Sequence, residues 1–152
     1  MKLPGAPQAS SPLWWFWERF TDVHTTAYKA SHGRVGGTYG KAPVALIESV
    51  GRKSGKRRTH PLLATKDGEN IVVIASKGGV DKHPAWYHNL MANPDTEVQI
   101  GSEHRAVHAR VANAEERERL WPAAIKQYRG YADYQARSKG REIPLVILEP
   151  RA

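Results

Sequence analysis

The chain of 152 residues contains no cysteine. That excludes disulfide scaffolds, thiol nucleophiles, thiolate zinc sites and cysteine-ligated iron–sulfur clusters, and it suits a reducing cytoplasm. Long apolar runs are missing as well. The stretch Leu13-Trp14-Trp15-Phe16-Trp17 stops at Glu18-Arg19, far short of a membrane span, and no apolar leader with a small-residue cleavage site precedes it. Neither a transmembrane helix nor an export signal is expected. Acidic residues are few beside basic ones, 15 against 23, so the net charge is +8 and an anionic partner is implied. No HExxH, GxSxG or GxxxxGK[ST] sequence occurs and the 7 histidines are scattered, so no metal, covalent-catalysis or nucleotide P-loop site is assigned.

What is present reads as one globular domain over residues 11–152 behind a loose Pro/Ala/Ser leader, residues 1–10. Ser11-Pro12 has the form of a helix start, and Leu13, Phe16, Trp17, Phe20, His24 and Ala27 recur at helical spacing. His32–Lys41 reads as a glycine-rich loop. Strands are expected over Pro43–Val50, Arg57–Thr65 and Asn70–Ser76, joined by the turn Gly51–Lys56 and by an Asp67-Gly68 turn. Pro84 opens a short helix, Ala85–Ala92, closed by Asn93-Pro94. Thr96–Ile100 and His104–Ala112 pair across Gly101-Ser102. Asn113 with Glu116 forms a capping box before a helix Arg117–Tyr128 that Pro122 should break or kink, and Ile143–Leu148 is the last strand. About six strands joined by hairpins argue against a parallel sheet and for a small antiparallel barrel, closed or partly open.

Four groups of residues carry chemistry. Arg52, Lys53, Lys56, Arg57 and Arg58 place five cations and no acid between Gly51 and His60. With Ser54 and the turn's amides they make a phosphate or carboxylate cradle, against the plainer reading of a solvated basic hairpin. Ser76-Lys77-Gly78-Gly79 leaves an apolar strand and offers a second grip, or is an ordinary loop. Trp86, Asn89 and Leu90 share a helical stripe suited to core packing, with Asn89 alternatively directing its amide to a planar ligand. Tyr128, Tyr131 and Tyr134 follow at i, i+3 and i+6, so a helix over Gln127–Ala136 would gather three phenols on one face, either as a roof over a flat ligand or as an aromatic core stripe.

Gly51-Arg52-Lys53-Ser54-Gly55 with Arg58 and Pro61-Leu62, Ala75-Ser76-Lys77-Gly78-Gly79, Pro84 with Trp86-Tyr87 and Asn89-Leu90, Asn93-Pro94, Tyr131 with Tyr134-Gln135, and Ile143-Pro144 form an ordered series. Taken together, they resemble the deazaflavin-dependent nitroreductase and quinone reductase family of actinobacteria, from about Leu13 to Pro150. The resemblance implies an α+β, mainly β fold, the antiparallel split β-barrel of flavin-binding oxidases, with an N-terminal helix and short surrounding helices. It also implies coenzyme F420, whose phosphodiester and glutamate tail suits the cationic hairpin. By resemblance Arg52, Lys53, Ser54, Arg58, Pro61, Ala75, Ser76, Lys77, Gly78, Gly79, Ala85, Trp86, Tyr87, His88, Asn89 and Tyr131 would hold the cofactor. Tyr131, Ser76 and Tyr134 would act in catalysis, and Leu63, Tyr128, Tyr131, Tyr134 and Trp14 would meet the substrate.

The expected activity is hydride transfer to a small-molecule electron acceptor: a quinone, an enone or conjugated ester, or a nitroaromatic. Leu63 stands where the family's nitro-prodrug-reducing member has tyrosine, which makes the site more apolar and favours quinone or enone reduction. The alternatives are a deazaflavin carrier without catalysis and an FMN reductase on the same barrel. Nucleic-acid binding is set aside because the cations concentrate in one hairpin instead of interleaving with aromatics along a surface. Peripheral membrane contact through the N-terminal helix is a further expectation, resting on the surplus Trp14 and Trp15, and a homodimer is expected by analogy with split barrels.

Overall fold

The computed structural model describes residues 14–34, 38–39, 42–76, 83–128, 130–137 and 142–151, with side chains of the first helix from Asp22 onward. The leader, the Ser11-Pro12 helix start, Lys77, Gly78, Gly79 and the Trp14 side chain lie outside that part.

Seven strands, β1 Thr38–Tyr39, β2 Ala42–Val50, β3 Arg57–Asp67, β4 Asn70–Ile74, β5 Asp95–Ile100, β6 Glu103–Val111 and β7 Leu145–Pro150, alternate with helices α1 Trp14–Ala30, α2 Ala85–Ala92, α3 Ala114–Gln127 and α4 Gly130–Arg137. All pairings are antiparallel, in the order β1-β2-β3-β4-β7-β6-β5. β5 returns to β2 through Ala45–Ile100, Leu46–Gln99 and Ile47–Val98, so the six long strands close into a barrel. The two-residue β1 lies where a loop was expected, against the start of β2.

Alternation decides which face each side chain takes. Ala45, Ile47, Ala64, Ile71, Val73, Val98, Val107 and Leu148 fill the interior, with Trp86 and Leu90 of α2 entering from one end. Val72, Ile74, Leu145 and Ile147 face outward and are covered by α3 and α4. Val44 and Leu46 face outward beneath Tyr28 of α1. The polar-turn signals and the capping box hold: Glu116 N–H donates to Asn113 Oδ1 at 2.9 Å and Asn113 N–H to Glu116 Oε1 at 3.1 Å. Glu116 also accepts from Nη1 and Nη2 of Arg110, each at 2.7 Å, and the bonds from Arg110 and the Asn113 amide hold its carboxyl down at about 2.

The helices after β6 and the last strand differ from expectation. Pro122 leaves α3 unbroken; Glu118 and Pro122 are both exposed, so the carbonyl that loses its amide partner sits on the solvent side of the helix. α3 ends at Gln127, with Tyr128 as its cap, and α4 starts afresh at Gly130. The last strand begins at Leu145 because Ile143 is diverted to side chains: its N–H donates to Gln135 Oε1 at 2.9 Å and its carbonyl accepts from Arg117.

Tyr28, outside the apolar stripe read from the sequence, is the described anchor of α1. Fully buried, it donates its hydroxyl to Val44 O at 2.8 Å and accepts the Gly101 N–H at 2.7 Å, tying the helix to β2 and to the β5–β6 turn. Gly33, at φ +84°, lies against that same turn, where an added Cβ would come within 2.5 Å of Gly101 Cα. Among the described residues no helix is long and apolar enough to cross a membrane. Replacement Tyr28→Phe keeps the ring but removes the partner of the buried Val44 carbonyl and of the half-buried Gly101 N–H, and should lower unfolding stability by about 1–3 kcal/mol. Urea denaturation checks this; an unchanged midpoint would show that the two bonds contribute nothing.

Candidate functional site

The turn between β2 and β3 is built to hold one shape. Gly51 N–H donates to Lys56 O and Gly55 N–H to Gly51 O, both at 2.8 Å, and Gly55 adopts φ +69°. Ser54 Oγ accepts the Lys56 amide at 3.3 Å and sits against Gly51, where a Cβ would come within 2.4 Å of it. Arg52, Lys53, Lys56, Arg57 and Arg58 are all exposed. Arg57 contacts Glu48 at 3.2 Å with 75% of its side chain in solvent, a pair of little energetic weight. Arg52 is held differently: its main-chain N–H and its Nη1 both donate to Asn89 Oδ1, at 3.2 and 2.9 Å.

At the base of this hairpin Ser49 Oγ and His60 Nε2 lie 2.9 Å apart. Burial first, and then the Arg58 charge, lowers the imidazole to about 4, so His60 is neutral at physiological pH. Neither residue was singled out from the sequence, although a strand pairing that sets Ile47 opposite His60 and Ser49 opposite Arg58 brings both to one side of the hairpin.

The α2 stripe is core. Trp86 and Leu90 pack among the interior residues with the fully buried Ala75, so Ala75 and Trp86 direct their side chains into the barrel. Asn89 is buried and its oxygen accepts from Arg52. Ala85 and His88 are exposed, while Tyr87 is half-buried with His83 4.7 Å and His88 5.4 Å away, centroid to centroid. Pro61 is half-buried on β3, in register with the outward-facing Leu46.

The tyrosines do meet, but not along one helix. Tyr128 sits in the break between α3 and α4, and its ring lies over Gly130, where a Cβ would come within 2.6 Å of Tyr128 Cζ. Its hydroxyl is 2.8 Å from the Tyr134 hydroxyl, and its ring meets that of Tyr131 edge-on at 5.0 Å. Tyr131 is 6% exposed, and burial, with Tyr134 adding to it, pushes its phenol well above the usual range. Leu63 packs on this cluster from β3 and also on the Tyr28 group. Arg117 supports the arrangement from behind: it contacts Glu142 at 2.9 Å, lies 4.9 Å over the Trp121 ring and bonds the Ile143 carbonyl.

The hairpin and Asn89 belong to the barrel's mouth, whereas the tyrosines cover its outer wall. The chain joins them at the end of β4: Ala75, inside, donates its N–H to Pro144 O at 3.0 Å, next to Ile143 of the tyrosine cluster. Ser76, half-buried, follows at that rim. A separate cleft of about 440 Å³ opens on the outer wall between the end of α1 and β2, β5 and β6, lined by Lys29, His32, Glu48, Gln99 and His104 among others, and it includes none of the residues named for the cofactor.

Comparison with known proteins agrees with this architecture. The profile of the F420H(2)-dependent quinone reductase family matches residues 20–150. The chain belongs to that family. Its members are oxidoreductases that use reduced coenzyme F420. A Mycobacterium tuberculosis protein with the provisional name F420H(2)-dependent quinone reductase Rv3178 is 44% identical over 119 residues, covering 78% of this chain and 99% of its own. The solved structure of the F420-H2 dependent reductase FDR-A superposes with a TM-score of 0.65 at 42% identity, covering 70% of this chain and 94% of that one. Another solved relative, a domain-swapped dimer, gives a TM-score of 0.67 at 37% identity over 91% of this chain and all of that one. The antiparallel barrel with its surrounding helices, shared with the solved reductase FDR-A, is the split β-barrel fold expected from the sequence.

The half-buried, neutral His60 has a thermodynamic consequence. The unfolded chain takes up a proton on this histidine near pH 6.5 and the native chain only near 4, so stability is full above 6.5 and falls by roughly 1.4 kcal/mol per pH unit as the pH drops between those values. In urea titrations between pH 6.5 and 5, above the range where the carboxylates protonate, His60→Gln should flatten that slope. Parallel slopes for the two proteins would refute it.

Proposed function

We propose that this reductase transfers a hydride from reduced F420 to quinones, and also to enones or conjugated esters, with the coenzyme's anionic tail at the β2–β3 turn and its ring toward the Ser76 rim. The observation that carries this reading is the cationic turn itself. Arg52, Lys53 and Lys56 stand exposed on a loop closed by its own hydrogen bonds, a donor set that matches a phosphodiester and carboxylates. Arg58 adds charge beside it on β3. These residues suit the tail of the coenzyme, and the half-buried Tyr87 and Ser76 offer surface and a hydroxyl nearer the ring.

When bound, reduced F420 supplies a two-electron hydride. The acceptor gains negative charge as that hydride arrives, and the protein's part is to position it and to stabilise the charge. Tyr131 keeps its proton throughout the neutral range, because burial disfavours the phenolate, and so remains a hydrogen-bond donor toward a developing oxyanion. Tyr134 and Tyr128, hydroxyl to hydroxyl at 2.8 Å, pack their rings against Tyr131 and hold it in place. Ser76 is a second donor at the rim. Leu63, packed on the tyrosines in place of a hydroxylated residue, gives an apolar surface that suits a quinone or enone better than a nitro group. The relative that forms a domain-swapped dimer supports a homodimer here too, to be read as a dimeric mass in light scattering.

The purified protein should bind F420 in preference to FMN and oxidise reduced F420 when menadione is added. Tyr131→Phe should leave the coenzyme dissociation constant unchanged and reduce kcat by about 10²-fold, the lower end for loss of a positioned proton donor. Absence of F420 affinity ends the cofactor assignment. Binding without turnover supports a carrier, and equal turnover in the variant removes Tyr131 from the chemistry.

A further inference from the structure

The basic turn is tied to the helix in the barrel's mouth through one oxygen. Asn89 Oδ1 accepts both the main-chain N–H and the Nη1 of Arg52, and Asn89 is itself 6% exposed. Its helix neighbours Trp86 and Leu90 are locked into the barrel core, so this acceptor cannot follow a moving loop. A guanidinium donating to a buried amide oxygen makes a charge-assisted bond, stronger than its neutral counterpart. Among the described residues Arg52 makes no other side-chain hydrogen bond, so its remaining N–H groups stay available on an exposed side chain. Whatever fixes Arg52 also fixes Lys53 and Lys56, because the Gly51–Lys56 and Gly55–Gly51 bonds make the turn one unit.

We propose that Asn89 is a positioning residue for anion binding: it latches Arg52 and the basic turn in the shape that receives the phosphodiester or carboxylate portion of the coenzyme, without touching that portion itself. This rests on the cofactor reading above. The physical reason is preorganisation. A loop already held in its bound shape loses less conformational freedom when the anion arrives, so part of the affinity comes from a residue that makes no contact with it. Asn89 is thereby moved from ligand contact, the role the resemblance implies, to support of another residue.

A double-mutant cycle separates a latch from a general structural role. Dissociation constants for F420 are measured by titration for the wild type, Asn89→Leu, Arg52→Met and the double variant. Asn89→Leu is expected to weaken binding about five- to tenfold, which corresponds to roughly 1–1.4 kcal/mol. Arg52→Met should weaken it at least as much, and because the main-chain N–H of residue 52 still donates to Asn89 in that variant, the double variant should be weaker than Arg52→Met but by less than the full Asn89→Leu loss. Without coenzyme, hydrogen exchange at the Arg52 amide should accelerate in Asn89→Leu while the amides of β2 and β3 keep their protection. Should Asn89→Leu fail to fold, Asn89→Ser, which shortens the side chain beyond reach of Arg52, is read in the same way. Unchanged affinity in the Asn89 variant, losses that add in full, or unchanged exchange at Arg52 would overturn the latch while leaving the cofactor reading intact. A wild-type chain with no affinity for F420 defeats the cofactor reading, and the role of Asn89 with it.

Discussion

β2 pairs on both sides, with β3 through seven residue pairs and with β5 through Ala45, Leu46 and Ile47, and this double pairing closes the barrel. Closure leaves no exposed edge among the six long strands and separates an inside from an outside. Every later feature follows from that separation. Trp86 and Leu90 can plug one end because there is an interior to enter, and α3 and α4 can cover Val72, Ile74, Leu145 and Ile147 because those side chains have been turned outward.

The site is therefore assembled across a wall. The hairpin cations and Asn89 stand at the barrel's mouth, the tyrosines on its outer surface, and the end of β4 passes between them. Each half is stabilised by its own contacts: Asn89 with Arg52 on one side, Arg117 with Ile143 and Glu142 on the other. The proposed function gives these halves the charged tail and the flat ring of the coenzyme, two ends that ask for opposite surroundings. Charged donors need water nearby to be placed cheaply, whereas burial favours the neutral form of a phenol such as Tyr131.

Much of this was legible from residue order. Hairpin signals at Asp67-Gly68 and Gly101-Ser102, the capping box at Asn113 and Glu116, and the helix opened by Pro84 are local, and local chemistry largely decides them. The clustering of cations between Gly51 and His60 is likewise visible in a linear string. Proximity of Tyr128, Tyr131 and Tyr134 was anticipated on a wrong premise: the helix breaks at Tyr128, and Gly130 lets its ring fold over the next helix. Spacing suggested the grouping, but packing produced it.

Sequence alone determined the alternation of strands, the turns between them and the charge on one hairpin, because those depend on neighbours a few residues apart. Only tertiary structure decided that Asn89 bonds Arg52, that Tyr28 secures α1, that His60 is neutral and half-buried beside Ser49, and that Tyr131 is withdrawn from water. These depend on groups brought together from 11 to 73 positions apart by strand pairing and helix packing. Whether a polar side chain meets water, a charge or another buried group is set by the packed surroundings, which no short stretch of chain contains.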